Sequence, residues 1–205
     1  MRAPVVDGRG GQPYCLPTLL LGEIVLRLWK PVVALVVSFT LGSPHAAVID
    51  ATASGFTLEN IIQVTADAET AWRALVDDVG QWWPRDHTWW GEESMLAIDA
   101  RAGGCFCERN GSQQAQHLLV TFVDPGKLLR MSGGLGPLQG MGLHGVLEFR
   151  LAPAEGGGTT ITLFYRVGGY TPDDLAQFAP IVDQVQAQQL GALGTYLGAE
   201  TTEPQ

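Results

Sequence analysis

The chain has 205 residues, 46% of them apolar, which suits one domain with appendages and is too apolar for a disordered polymer. Its 12 basic residues face 21 acidic ones, for a net charge of −9. That balance argues against a surface that neutralises nucleic-acid phosphates.

The N-terminal part reads differently from the rest. Arg27 and Lys30 precede an apolar run from Pro31 to Leu41, and small residues follow, ending at Ala46 and Ala47. Basic, then apolar, then small is the order of a secretory signal. The run spans about 16 Å as a helix, short of a bilayer core of about 30 Å. The expected organisation is an N-terminal extension at 1–46 with a signal peptide over about 25–46, a linker at 47–55, a folded domain at 56–198 and a disordered tail at 199–205. Cleavage would remove four of the basic residues and only two of the acidic ones. The mature chain is then expected in the periplasm or outside the cell, more acidic still, with no stable membrane anchor and no nucleic-acid partner.

Within the domain, "FTLENIIQVTA" from Phe56 to Ala66 reads as a strand, rich in β-branched residues. Asp67 is a candidate N-cap for a helix carrying Ala71, Trp72, Leu75, Val76 and Val79 on one stripe, which Gly80 is expected to stop. "GQWWPRDHTWWG" then holds four of the six tryptophans. Trp82 and Trp83 are expected to pack on the helix, and Trp89 and Trp90 to stand at a rim. Each such ring buries about 150–250 Å², so four of them exceed one small core corner.

Closely spaced strands follow. Met95 to Arg101 is one, "GGCFCERNGS" opens another, and Asn110-Gly111 marks a hairpin. "QHLLVTFVDPGKLLRMSG" is a strand pair turning at Asp124-Pro125-Gly126. "GGLGPLQGMGLHG" is a connector whose Leu138, Met141 and Leu143 suit a flap; it lacks the Gly-Lys-Ser/Thr ending of a phosphate loop. A further strand pair turns between Glu155 and Gly158. Pro172-Asp173 opens a long helix with Phe178, Ile181, Val182, Val185, Leu193 and Leu197 as its apolar stripe, and Pro180 is expected to kink it or start its main segment.

In this order the pieces resemble the START-like, or SRPBCC, superfamily. The residues that carry the resemblance are "VTADAETAWRALVDDVGQWW", "DARAGGCFCERNG", "DPGKLLRMSG" and "YTPDDLAQFAPIVDQVQAQQLGALGTYL". The nearest subgroup is that of chaperone-ATPase-activator homologues and polyketide-cyclase-like proteins. The resemblance implies an α+β helix-grip fold, a curved antiparallel sheet wrapped around a long C-terminal helix, with an apolar pocket between them. It implies no one chemistry, because the fold hosts carriers, receptors, cyclases and hydrolases.

On that reading the partner is a small hydrophobic or amphipathic ligand, in a pocket of roughly 300–1,000 Å³. The candidate lining residues are Trp72, Trp89, Trp90, Phe106, Leu138, Met141, Phe178, Val182 and Val185. Glu108 and His117 are the polar candidates, able to orient a ligand or, in a cavity-based enzyme of the cyclase or hydrolase type, to act as acid and base. Cys105 and Cys107 sit two positions apart on a strand and so share a face. A bond between them fits an extended strand only awkwardly, and two small sheet residues is the expected role. Glu108 should face away from them, which leaves His117 as too thin a complement for zinc, so neither metal nor cofactor is expected.

Overall fold

The computed structural model describes residues 46–198. The stretch up to residue 45, on which the signal peptide is expected, and the expected tail 199–205 lie outside the described residues. The element order is strand β1 (Ala46–Thr52), β2 (Gly55–Val64), helices α1 (Ala68–Asp77) and α2 (Val79–Trp82), then two single 3₁₀ turns. Strands β3 (Met95–Ile98), β4 (Cys105–Asn110), β5 (Gln113–Asp124) and β6 (Leu128–Gly133) follow, then a helical turn α3 (Pro137–Gly140). The fold closes with β7 (His144–Pro153), β8 (Thr159–Gly168) and helix α4 (Leu175–Tyr196).

The eight strands of the described residues form one antiparallel sheet in the order β1-β2-β8-β7-β6-β5-β4-β3, and α4 packs against β1 and β2 at one side of it. This is the α+β helix-grip arrangement. Strand alternation explains how the sheet divides its two faces. Phe56 and Leu58 of β2, Leu163 and Tyr165 of β8, Leu147 and Phe149 of β7, and Met131 of β6 are all buried on the inner face. The alternate residues make the outer face, where Arg130 lies over the Phe122 ring and Arg150 over Phe164. Between those two arginines Glu148 accepts a hydrogen bond from each. Burial alone would raise its carboxyl, but the two guanidinium groups outweigh that and hold it below the usual carboxylate range.

Local signals place the turns. Asp67 caps α1, its carboxylate accepting the Thr70 N–H at 2.7 Å. That bond lowers the Asp67 carboxyl. Gly111 and Gly126 sit at φ +57° and +76° in the β4–β5 and β5–β6 turns, backbone that side chains with a Cβ avoid.

Three expectations need correction. Residues 47–55 are not a linker, since β1 pairs with β2 from Ala46↔Asn60 to Thr52↔Gly55. Helix α1 ends before Gly80, which lies inside the turn of α2. On α4 the buried residues are Leu175, Ala179, Asp183, Gln186, Gln189, Leu190, Leu193 and Gly194. Of the apolar stripe read from the sequence Leu193 is among them, whereas Phe178, Val182, Val185 and Leu197 are half-buried and Ile181 is 61% exposed. The offset arises because the helix buries polar residues. Asp183 accepts a hydrogen bond from Asn60 of β2 at 3.0 Å, and an apolar-periodicity rule discards such positions. Pro180 lies inside the helix rather than at its start.

Candidate binding site

The inner face of β4 to β7 converges on one apolar hollow. Its walls are Ile98 of β3, Phe106 of β4, Leu118 of β5, Met131 of β6, and Leu147 and Phe149 of β7, with Leu135 from the glycine-rich connector. Trp82 and Trp83, from the segment after α1, form its roof. The side chains nearly fill it. The centre of a water-sized sphere finds only about 10 Å³ there, roughly the least that admits one water. The expected pocket of several hundred cubic ångströms is therefore not open in this conformation.

A line of rings runs from the roof to a buried polar group. Trp82 and Trp83 have centroids 5.4 Å apart, Trp83 meets Phe106 edge-on at 5.0 Å, and Phe106 lies 5.1 Å from the His117 ring. The indole N–H groups are both satisfied, Trp82 donating to the carbonyl of Ala74 and Trp83 to that of His87. These are the partners that allow a tryptophan to be buried.

The line ends on Glu108, which is wholly buried. Its Oε2 stands 2.8 Å from His117 Nε2. Its Oε1 accepts from the Ser94 hydroxyl at 2.6 Å and from the backbone N–H groups of Trp89 at 2.8 Å and Trp90 at 3.3 Å. One carboxylate thereby fastens the tryptophan segment to the sheet. Arg85 reinforces it, donating to the carbonyls of Ser94 and Gly80. A buried carboxylate persists only with such donors around it.

His117 reaches this place through a β-bulge. Phe106 pairs with Leu118, but Cys107 pairs with Gln116, so His117 is the extra residue. It turns inward beside Leu118, where strict alternation would send it to the other face. The cysteines share a face of β4, as expected, and it is the outer one, yet they are bonded to each other with Cα atoms 5.5 Å apart. The expectation of two unpaired residues is corrected: the spacing falls below that of an ideal extended strand, at the same irregular point of the ladder.

Of the nine candidate lining residues, only Phe106 faces the hollow. Trp72, Met141, Phe178 and Val182 are half-buried and pack on the outside of the core, Leu138 is buried within it, and Val185 is half-buried on α4. Trp89 is 49% exposed and Trp90 half-buried, and neither lines the hollow. Trp82 and Trp83 pack as a core roof. The connector is more tied down than a flap: Tyr165 accepts the Leu135 N–H at 3.1 Å and donates to the Gly133 carbonyl at 3.2 Å. Burial pushes the Tyr165 hydroxyl up to about 12, so it stays protonated for that role. Leu118, Met131, Leu147 and Phe149 were legible through inward alternation on their strands.

A second concavity, about 630 Å³, lies on the sheet's outer face among Thr52, Thr57, His144, Val146 and Arg166. It is a broad groove open to solvent, and none of the candidate residues reaches it. A ligand there would keep most of its hydration, unlike one held in a pocket.

No protein-family model matches the sequence, and no curated protein matches it. Solved structures do match. A protein from Rhodobacter sphaeroides aligns at 19% identity with a TM-score of 0.51, over 76% of this chain and 99% of its own. CV1439 from Chromobacterium violaceum aligns at 18% identity and TM-score 0.49, over 70% and 98%. CalU16 from Micromonospora echinospora aligns at 20% and 0.47, over 73% and 78%. At such identities the likeness is one of fold.

Proposed function

We propose that the chain is a START-like (SRPBCC) protein, exported from the cytoplasm, that binds a small apolar or amphipathic molecule in the hollow beneath Trp82 and Trp83. One observation carries the reading. Seven wall residues, apolar throughout, meet under the Trp82 and Trp83 rings, and the segment that follows those rings is held to the sheet by polar bonds centred on Glu108. Because the walls and roof touch, loading is a displacement: the roof segment withdraws and the ligand takes the volume of an indole ring. Met131 suits such repacking, its unbranched side chain filling irregular gaps. The disulfide supports export, since such bonds persist in oxidising compartments.

The test is native mass spectrometry of protein purified from its own extracytoplasmic fraction, joined to tryptophan fluorescence titration with anilinonaphthalene sulfonate. The expected result is a co-purified small molecule and saturable, one-to-one displacement of the probe. Empty protein from every preparation, with emission indifferent to apolar compounds, would overturn the proposal.

The Glu108–His117 pair favours a second reading, a cavity-based enzyme of the cyclase or hydrolase type. Both carboxylate oxygens of Glu108 are spent on donors, so His117 would meet the substrate and Glu108 would orient it. Replacing His117 by Ala separates the two. A carrier loses modest affinity, whereas an enzyme loses turnover and keeps its ligand.

A further inference from the structure

We propose that Cys105–Cys107 is a thiol-exchange site whose reduction loosens the hollow; the second part rests on the ligand-binding reading above. The bond spans a single residue. Loop-closure stabilisation grows with the length of chain enclosed, so so short a loop gains the least from being closed. Both cysteines are only half-buried on the outer face of β4. Their cross-strand neighbours, Ala97 and Leu119, are themselves exposed, so an external thiolate has a path to sulfur. Accessible bonds of this kind are the exchangeable ones.

Its position ties it to the site. The residue enclosed by the bond is Phe106, whose ring lies between Trp83 and His117. The residue after Cys107 is Glu108, which holds the Ser94 hydroxyl and the Trp89 backbone in the segment that follows the roof. The bond holds the flanking Cα atoms 5.5 Å apart, whereas two steps of an ordinary strand span about 6.4–6.8 Å. Opening the bond lets β4 lengthen at that point and shifts Phe106 relative to Glu108.

The chemistry is ordinary exchange. The thiolate of a low-molecular-weight thiol attacks one Sγ, the S–S bond breaks, and its electron pair leaves on the other Sγ, which takes a proton. A second thiolate attacks the external sulfur of the mixed disulfide and frees the remaining protein thiolate, which is protonated in turn. Two external thiols become one disulfide, and the protein pair gains two electrons and two protons.

The experiment uses the full chain in a Cys15→Ser background. Folded protein is incubated with reduced and then oxidised glutathione, thiols are counted by alkylation and mass spectrometry, and tryptophan emission is followed. Two thiols should appear and then vanish reversibly, with a red shift of emission in the reduced form and a severalfold change in affinity for anilinonaphthalene sulfonate. Cys107→Ser or Cys105→Ser should capture one glutathione as a mixed disulfide. Resistance of the folded chain to glutathione that reduces the denatured chain overturns the exchange site, even if the oxidised chain binds the probe. Reversible exchange with unchanged emission and affinity overturns the coupling. Exchange in a chain that binds no probe in either state counts against the ligand reading and leaves the exchange site standing.

Discussion

Glu108 and His117 face each other at 2.8 Å because β5 carries one residue more than β4 opposite them. The same carboxylate holds Ser94 and the backbone of Trp89 and Trp90. Glu108→Gln keeps the shape but sets an amide N–H against one group of donors. A lost hydrogen bond to a charged group costs about 1.5–3 kcal/mol, and each buried donor left unpaired adds about 1–3 kcal/mol. Urea unfolding should show Glu108→Gln destabilised by about 2 kcal/mol and Glu108→Ala by more. Near-neutral midpoints for both variants would mean that the segment from Trp89 to Ser94 is fastened by something else.

Trp83 is the ring whose removal should make the hollow visible. It touches Trp82 and Phe106 and lies over the walls. Trp83→Ala should cost about 3–5 kcal/mol, the usual range for an aromatic truncated in a core. Added indole should then restore part of the melting temperature of the variant, by mass action, and raise it by more than it raises that of the parent chain. A variant that loses stability but gains nothing from indole has collapsed, and the walls would then be no ligand site.

The fold was legible where a residue's local chemistry decides alone. Asp67 capped its helix, Asn110-Gly111 and Asp124-Pro125-Gly126 turned their hairpins, and the inward rows of β6 to β8 follow plain alternation. The site was less legible, for two physical reasons. Periodicity counts apolar residues, so it followed Phe178, Val182 and Val185 on α4 and passed over the buried Asp183 and Gln186. Alternation assumes an unbroken ladder, and the bulge at His117 leaves no mark in composition, so the meeting of His117 with Glu108 and the approach of the two cysteines were out of reach.

The buried polar stripe of α4 is a liability that substitution should relieve. Gln186 is 1% exposed, and neither amide atom has a hydrogen-bond partner among the described residues. Gln186→Met, which keeps the length and removes both polar ends, should stabilise by about 1–3 kcal/mol in urea unfolding. A loss of stability instead would show the amide engaged in solution.

Asp183 belongs to the same stripe, and its cost depends on pH. Burial raises its carboxyl, and the hydrogen bond from Asn60 offsets only part of this. With a folded value above the unfolded one, the native state is favoured below about pH 3.8, and that advantage is lost as pH rises through the folded value. Asp183→Asn should therefore melt higher than the parent at pH 7, with the gap closing towards pH 3. A gap that stays constant across that range would remove the titration argument.

Glu148 predicts the opposite sign. Burial raises its carboxyl, but Arg130 and Arg150 more than compensate and set the folded value below the ordinary 4.5. The stabilisation is then complete above about pH 4.5 and is lost as pH falls through the folded value, where the proton competes with both arginines. Glu148→Gln should unfold at lower urea than the parent at pH 7, and the two curves should converge as the solution is acidified below pH 4.5. Because both arginines are partly exposed, the difference at pH 7 should also shrink in about 1 M salt, where charges are screened within about 3 Å. If the parent and variant keep the same separation at every pH and salt concentration, packing of the arginine stems on Phe122 and Phe164, and not the charge of Glu148, holds this face of the sheet together.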